Sequence, residues 1–200
     1  MGPSIRTNDF VVKFANVNGS GSASANGLFA KAILRMGVPV AARNIFPSNI
    51  QGLPTWFEVR VVEDGWRGRR GGVDLMVAMN PQTWEKDVAE VDAGGWLFYD
   101  STKPLPPSKF RSDVTVVAMP LMEICNATYT DPRQRQLFKN IIYLGALAGL
   151  LAIEPEVIEA LLTEQYKGKQ PLQESNRKAF RLGFDYAAAN FAPIGLRVVR

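Results

Sequence analysis

Phe10-Val11-Val12-Lys13-Phe14-Ala15 is a short apolar run, the pattern of a strand covered on both sides. Beyond Asn16–Asn26 the period changes. Leu28, Phe29, Ala32, Ile33 and Met36 recur at spacings of one, three and four, which predicts a helix. Between the two lies Asn18-Gly19-Ser20-Gly21-Ser22-Ala23-Ser24, a glycine- and serine-rich turn. Glycines let a backbone bend sharply and approach a ligand. The following helix aims unpaired N–H groups and the positive end of its dipole into the turn. Strand, glycine turn and helix together make a candidate anion site, with a serine expected to cap the helix. The alternative is a tight connection that binds nothing. Only Gly19 and Gly21 of a dinucleotide fingerprint are present, and the turn has no P-loop lysine.

Further on, residues 38–46 read as a second strand weakened by Pro39, and 47–54 as a loop. Thr55 to Val62 alternates, with Trp56, Glu58, Arg60 and Val62 on one face and Phe57, Val59 and Val61 on the other. Glu63–Gly72 reads as a turn carrying Trp66, Arg67, Arg69 and Arg70, either a solvated hairpin tip or a contact for phosphate or an acidic partner. Val73–Met79 is a buried strand. Asn80 suits a helix N-cap and Pro81 a first helical position, and that helix is expected to reach about Val91. Gly94-Gly95 breaks the chain. Trp96–Asp100 and Val114–Met119 read as strands, and helices are expected over about 132–152, 155–166 and 171–190. This order predicts an α/β fold in three layers. It is a Rossmann-like, mostly parallel sheet with an antiparallel addition at Thr55–Val62 and a helical C-terminal part. Residues 1–8 are expected to be a flexible N-terminus, 9–192 the domain, and 193–200 an extended, weakly packed tail or linker. Ligands in such sheets sit at the carboxyl ends of the strands. The turns at 16–26, 79–81 and 99–102 are therefore expected to meet around a site.

Composition narrows the chemistry. With 200 residues and 46% hydrophobic content, the chain can form one domain or at most two around a sizeable core. A net charge of +4 is too mild to point to nucleic acid. There is one cysteine, Cys125, and no histidine. Ser-His-Asp and Cys-His catalysis are excluded within the chain, and so is a self-contained iron–sulfur cluster. A metal site is not expected. Cys125 reads as a buried small hydrophobe. Met1–Asp9 has no secretory apolar region, and Ile141–Ile153 is shorter than the roughly 18–20 residues a bilayer needs. A cytoplasmic protein with no membrane contact is expected. Gly145 and Gly149, four apart on an apolar helix, suggest close helix packing. Asn140 and Asn176 are either satisfied core amides or supports for the glycine turn.

The same residues resemble the gamma domain of the 2-oxoacid:acceptor (ferredoxin) oxidoreductases. The last two glycines of that family's G-x-G-G-x-G turn fall on Gly19 and Gly21, with Asn16 and Asn18 replacing the earlier ones. Gln51-Gly52-Leu53 stands where the family often has Arg-Gly-Gly, ahead of a similar Glu58-Val59-Arg60 strand. Asn140–Leu147 and Asn176–Phe184 are also similar. The likeness runs from residue 9 to about 192. Asn16–Gly21 and Ser48–Trp56 resemble a subgroup whose gamma domain is fused ahead of the alpha domain. The resemblance implies part of an enzyme that oxidatively decarboxylates a 2-oxoacid such as 2-oxoglutarate or pyruvate. Such an enzyme passes electrons to ferredoxin and makes an acyl-CoA. Thiamine diphosphate, Mg and iron–sulfur clusters would lie on partner domains, namely the alpha (pyrimidine) and beta (diphosphate) parts. Glu63-Asp64-Gly65 does not supply a thiamine motif, so this chain is expected to hold no cofactor and to be inactive alone. CoA is the expected substrate on its side. The anion or CoA candidates are Gly19, Ser20, Gly21, Ser22, Ser24 and Asn26. The loop candidates are Asn49, Gln51, Gly52, Asn80, Ser101 and Thr102, and the partner-contact candidates are Trp66, Arg67, Arg69 and Arg70. A free-standing nucleotide- or phosphate-binding module and a pure assembly domain remain as alternatives.

Overall fold

The computed structural model describes residues 5–47 and 50–200. In chain order the elements are strands β1 (Arg6–Thr7) and β2 (Asp9–Val17), helix α1 (Ser22–Arg35), strands β3 (Val40–Ile45), β4 (Pro54–Val62) and β5 (Val73–Ala78), and helix α2 (Trp84–Ala89). Strands β6 (Val91–Asp100) and β7 (Thr115–Met119) follow, then helices α3 (Leu121–Thr128), α4 (Pro132–Leu150), α5 (Pro155–Gln165) and α6 (Gln170–Asn190), and strand β8 (Leu196–Arg197). The main sheet has six strands in the order β3-β4-β2-β5-β6-β7. The pairs β2–β5, β5–β6 and β6–β7 are parallel, and β4 runs against both its neighbours. The mostly parallel α/β sheet is as expected, with β4 inside the sheet and β3 at its edge.

Alternation along β2 divides the core. Phe10, Val12 and Phe14 face the layer of α1 and α3–α6, while Ala15 faces a thinner layer containing Trp84 and Val88 of α2. In the thick layer α4 and α6 touch backbone to backbone. A Cβ on Gly145 would lie 2.0 Å from the Phe180 carbonyl oxygen, and one on Gly183 would lie 1.8 Å from that of Ile142. The close packing expected at Gly145 is therefore present, with Gly183 as its counterpart, while Gly149 meets only ordinary contacts.

Several expectations are corrected. Glu63–Gly72 is not a hairpin tip. Strands β4 and β5 flank β2 on opposite sides, so this segment crosses over the start of β2. Leu121–Thr128, which the hydrophobic pattern leaves unassigned, is helical. The helix after Asn80 ends at Ala89, and Gly94-Gly95 lies within β6, where the register against β5 shifts between Val73 and Leu75. Residues 6–8 and 196–199 are held together. Strand β1 pairs in parallel with β8, Leu196 and Val198 are buried, and the Val198 N–H donates to the Leu151 carbonyl at 2.8 Å. Asn8 bonds Val199 through both its amide groups. The weak packing expected of the tail is not seen at Leu196 and Val198, which are buried in the core. Among the described residues no helix is long and apolar enough to cross a membrane.

Candidate functional site

The glycine turn closes because both its glycines take left-handed conformations, with φ of 83° at Gly19 and 79° at Gly21. Gly21 is the N-cap of α1, and no side chain caps the helix. The expected serine cap is absent because a residue at φ 79° turns the chain before Ser22 can take the capping position. The first-turn N–H groups of α1 are thus free of a side-chain acceptor, and no acidic residue stands among them. They open onto a cleft of about 460 Å³.

Gly19, Gly21, Ser22, Ala23 and Asn26 line one wall of that cleft. The opposite wall comes from the end of β3 and the start of β4, as Asn44, Phe46, Thr55 and Phe57. Sequence reasoning missed this wall. Thr55 reaches the turn only because β4 pairs with β2 in a register that sets Asn16 opposite Thr55, and Asn44 follows because it pairs with Phe57. Among the described residues no charged side chain lines the cleft, so its positive character there comes from the helix N-terminus.

A buried polar ladder fixes the floor. The Tyr143 hydroxyl donates to Asn26 Oδ1 at 2.7 Å, and Asn26 Nδ2 donates to Asn16 Oδ1 at 3.0 Å. Asn80 Nδ2 reaches the Asn16 carbonyl at 3.3 Å, while its Oδ1 caps the turn at Pro81 by accepting from the Gln82 N–H at 3.0 Å. Burial pushes the Tyr143 hydroxyl pKa far up, so it remains a donor. Asn140 Nδ2 donates to the Ser20 carbonyl at 2.9 Å and supports the turn directly, whereas Asn176 bonds Leu172 of its own helix.

The other candidates divide. Ser20 Oγ donates to Ser22 Oγ at 3.1 Å beside the turn. Ser24 is engaged by Gln165 Nε2 at 2.7 Å and is not on the cleft lining. Gln51 lies against Gly19, and the Gly52 N–H donates to the Asn18 carbonyl at 2.9 Å. Asn49 is outside the described residues. Asn80 is fully buried as part of the floor. Ser101 donates its N–H to Met119, and the Thr102 hydroxyl donates to Asp100 while accepting from the Glu123 N–H.

The three turns do not all share one hollow among the described residues, although the glycine turn and Met79 meet at the smallest. The turns at 79–81 and 99–102 shape a second hollow of about 390 Å³, and a smaller one of about 130 Å³, bordered by Ser20, Met79, Lys139 and Asn140, lies between. The arginine segment is farther still, since β4 delivers it to the opposite end of β2. There Arg69 grips Glu58 through two bonds of 3.0 and 2.8 Å, which raises the Arg69 pKa. Arg70 and Arg6 both bond the buried Asp74. The Arg67 carbonyl accepts from Arg43, and Trp66 is exposed. Cys125 is fully buried, and burial pushes its thiol up to about 11.

Residues 11–186 match the family described as pyruvate ferredoxin/flavodoxin oxidoreductase. The chain is 24% identical to 2-oxoglutarate oxidoreductase subunit KorA of Mycobacterium tuberculosis, covering 90% of this chain and 31% of that one. It is also 24% identical to 2-oxoglutarate synthase subunit KorC of Archaeoglobus fulgidus, over 87% of this chain and 86% of that one. Its fold resembles that of 2-oxoglutarate:ferredoxin oxidoreductase from Magnetococcus marinus, solved with 2-oxoglutarate, coenzyme A and succinyl-CoA bound. The TM-score is 0.84 at 23% identity, covering 97% of this chain and 33% of that one. A keto/oxoacid ferredoxin oxidoreductase gamma subunit from Geobacter sulfurreducens is similar at a TM-score of 0.69 and 23% identity, covering 90% of this chain and 99% of that one. The chain thus spans about a third of the longer relatives and most of the gamma subunits.

Proposed function

The chain belongs to the pyruvate ferredoxin/flavodoxin oxidoreductase family, and we propose that it is the gamma part of a 2-oxoacid:ferredoxin oxidoreductase and forms the CoA side of that enzyme's site. The observation that carries this reading is the uncapped N-terminus of α1, opening through Gly19 and Gly21 onto a cleft with a fixed polar floor. A phosphate of CoA at this point accepts from the first-turn N–H groups and meets the positive end of the helix. Each charge-assisted bond there contributes about 1.5–3 kcal/mol. Asn140, Asn16 and Asn26 hold the turn in place before the ligand arrives, so little ordering cost falls on binding.

The remaining chemistry belongs to partners in this reading. With no histidine and only the buried Cys125, the chain does not fit an iron–sulfur cluster. Thiamine diphosphate, Mg and the clusters are assigned to alpha and beta partners, with ferredoxin as electron acceptor and the cytoplasm as the compartment. The alpha part is either a separate chain or fused behind this one. Trp66, exposed within the arginine segment, is the candidate anchor for a partner.

Reconstitution tests the reading. Co-expressed alpha and beta partners with this chain are expected to reduce ferredoxin in the presence of a 2-oxoacid and CoA, and the purified chain alone to be silent. Full CoA-dependent activity without the chain, or 2-oxoacid-dependent dye reduction by the chain alone, would overturn it.

A further inference from the structure

The second hollow has no part in the CoA reading, yet it is built like a ligand site. It lies over the ends of β5 and β6, between Met79, Trp84, Tyr99, Leu105 and Met122. Its volume of about 390 Å³ is within the range of about 300–1,000 Å³ typical of small-molecule pockets, which pair apolar walls with a few convergent polar groups. The aromatic wall is rigid. Trp84 meets Tyr99 edge-on at 5.5 Å and Phe110 at 5.7 Å, and its indole N–H is fastened to the Lys109 carbonyl at 3.0 Å.

Two polar groups on this wall are unspent. Among the described residues the Tyr99 hydroxyl has no hydrogen-bond partner, and Lys139 of α4, half-buried on the rim, has no ion pair. Nine other lysine and arginine side chains form ion pairs with carboxylates among the described residues, whereas the Lys139 ammonium stands unpaired where the apolar hollow opens. Among the described lining residues the one carboxylate is Asp100, engaged through Oδ1. Its Oδ1 accepts from the Thr102 N–H at 3.1 Å, the Thr102 hydroxyl at 2.6 Å and the Met122 N–H at 3.4 Å. Lys103 stands on the rim as a second cation. The hollow therefore offers apolar and aromatic walls, one hydroxyl, and two ammonium groups against one carboxylate.

We infer that this hollow binds a planar aromatic carboxylate, with the ring against Trp84, Met79 and Met122 and the carboxylate accepting from Lys139 and Tyr99. The site is separate from the glycine turn, since Met79 and the small hollow stand between them. It does not depend on the CoA reading.

Ligand-observed NMR on the full chain tests the inference, with naphthoate as probe and naphthyl methanol as its neutral counterpart. Naphthoate is expected to bind saturably and more tightly than the alcohol. Lys139→Gln should weaken naphthoate roughly tenfold, the loss of one charge-assisted bond, and leave the alcohol unchanged. Tyr99→Phe should weaken it by a smaller factor, and Gly21→Val should not affect it. Absence of saturable binding, equal affinity for acid and alcohol, or indifference to both Lys139→Gln and Tyr99→Phe would overturn the inference. Loss of naphthoate with Gly21→Val would merge the hollow with the turn and overturn it equally. Binding by the free chain that vanishes in the assembled enzyme would give the hollow to a partner's side chain, again against the inference.

Discussion

Replacing Gly21 by valine separates backbone strain from ligand contact. At φ 79° a β-branched residue is held in a left-handed conformation, at a cost of roughly 1–3 kcal/mol. The new Cβ meets the Leu137 Cδ2 methyl at 2.8 Å and Asn140 Nδ2 at 3.6 Å. Leu137 is 56% exposed, so it swings into solvent at little further cost. A domain with about 5–15 kcal/mol of stability survives this and folds. Binding is affected differently, because the new side chain presses on Leu137 and on Asn140, whose amide holds the Ser20 carbonyl, and so displaces the turn whose N–H groups an anion would approach. Losing one charge-assisted bond of about 1.5–3 kcal/mol raises KM for CoA roughly 10- to 150-fold. Gly37→Val is the control. Its φ is 86°, nothing lies near its Cβ, and it sits at the far end of α1. Both variants should lose similar stability by thermal melting. In steady-state assays of the assembled enzyme, only Gly21→Val should raise KM for CoA, with KM for the 2-oxoacid unchanged. If the two variants give the same KM for CoA, the turn is only a connection.

Three further outcomes follow from the packing. Asn26→Leu leaves the fully buried Tyr143 hydroxyl and Asn16 without their shared partner, and should lower unfolding stability by about 1–3 kcal/mol in denaturant titration; a change within error would show the ladder to be idle. Asp87 is held above the usual carboxylate range, chiefly by burial and against the bonds from Thr83 and Trp56. A raised folded-state value means that stability is lost as pH rises from about 4 through that value, so Asp87→Asn should flatten the melting-temperature profile over this window, and parallel profiles would refute it. Removing residues 194–200 strips buried Leu196 and Val198 from the core, each contributing about 1.5–3 kcal/mol, and should lower the melting point clearly; an unchanged melting point would restore the weakly packed tail.

Much of this fold was readable from local pattern, and what was missed depends on pairing between distant segments. The strand, turn and helix around Gly19 and Gly21 were legible because the hydrophobic period changes there. The five fully apolar residues around Asp74 likewise marked β5. Helix α3 was not legible, since its eight residues bury only Leu121 and Cys125, too few for a period to show. The far wall of the cleft was hidden for a different reason. Asn44, Phe46 and Thr55 have no local signature of a site, and only the insertion of β4 between β3 and β2 brings them to the turn. Ser24 shows the limit of spacing within one helical turn. It shares the turn with Ser22, yet its side chain leaves the cleft for Gln165. The extended character of the tail was legible, but the burial of Leu196 and Val198 was not, because it depends on pairing with β1 at the other end of the chain.

Hydrogen exchange on the assembled enzyme, with and without saturating CoA, tests the central claim most directly. The account predicts slower exchange at the Ser20–Ser24 amides when CoA is present, with the Glu63–Gly72 segment at the opposite end of the sheet unchanged. Undiminished exchange at Ser20–Ser24 under saturating CoA would contradict it.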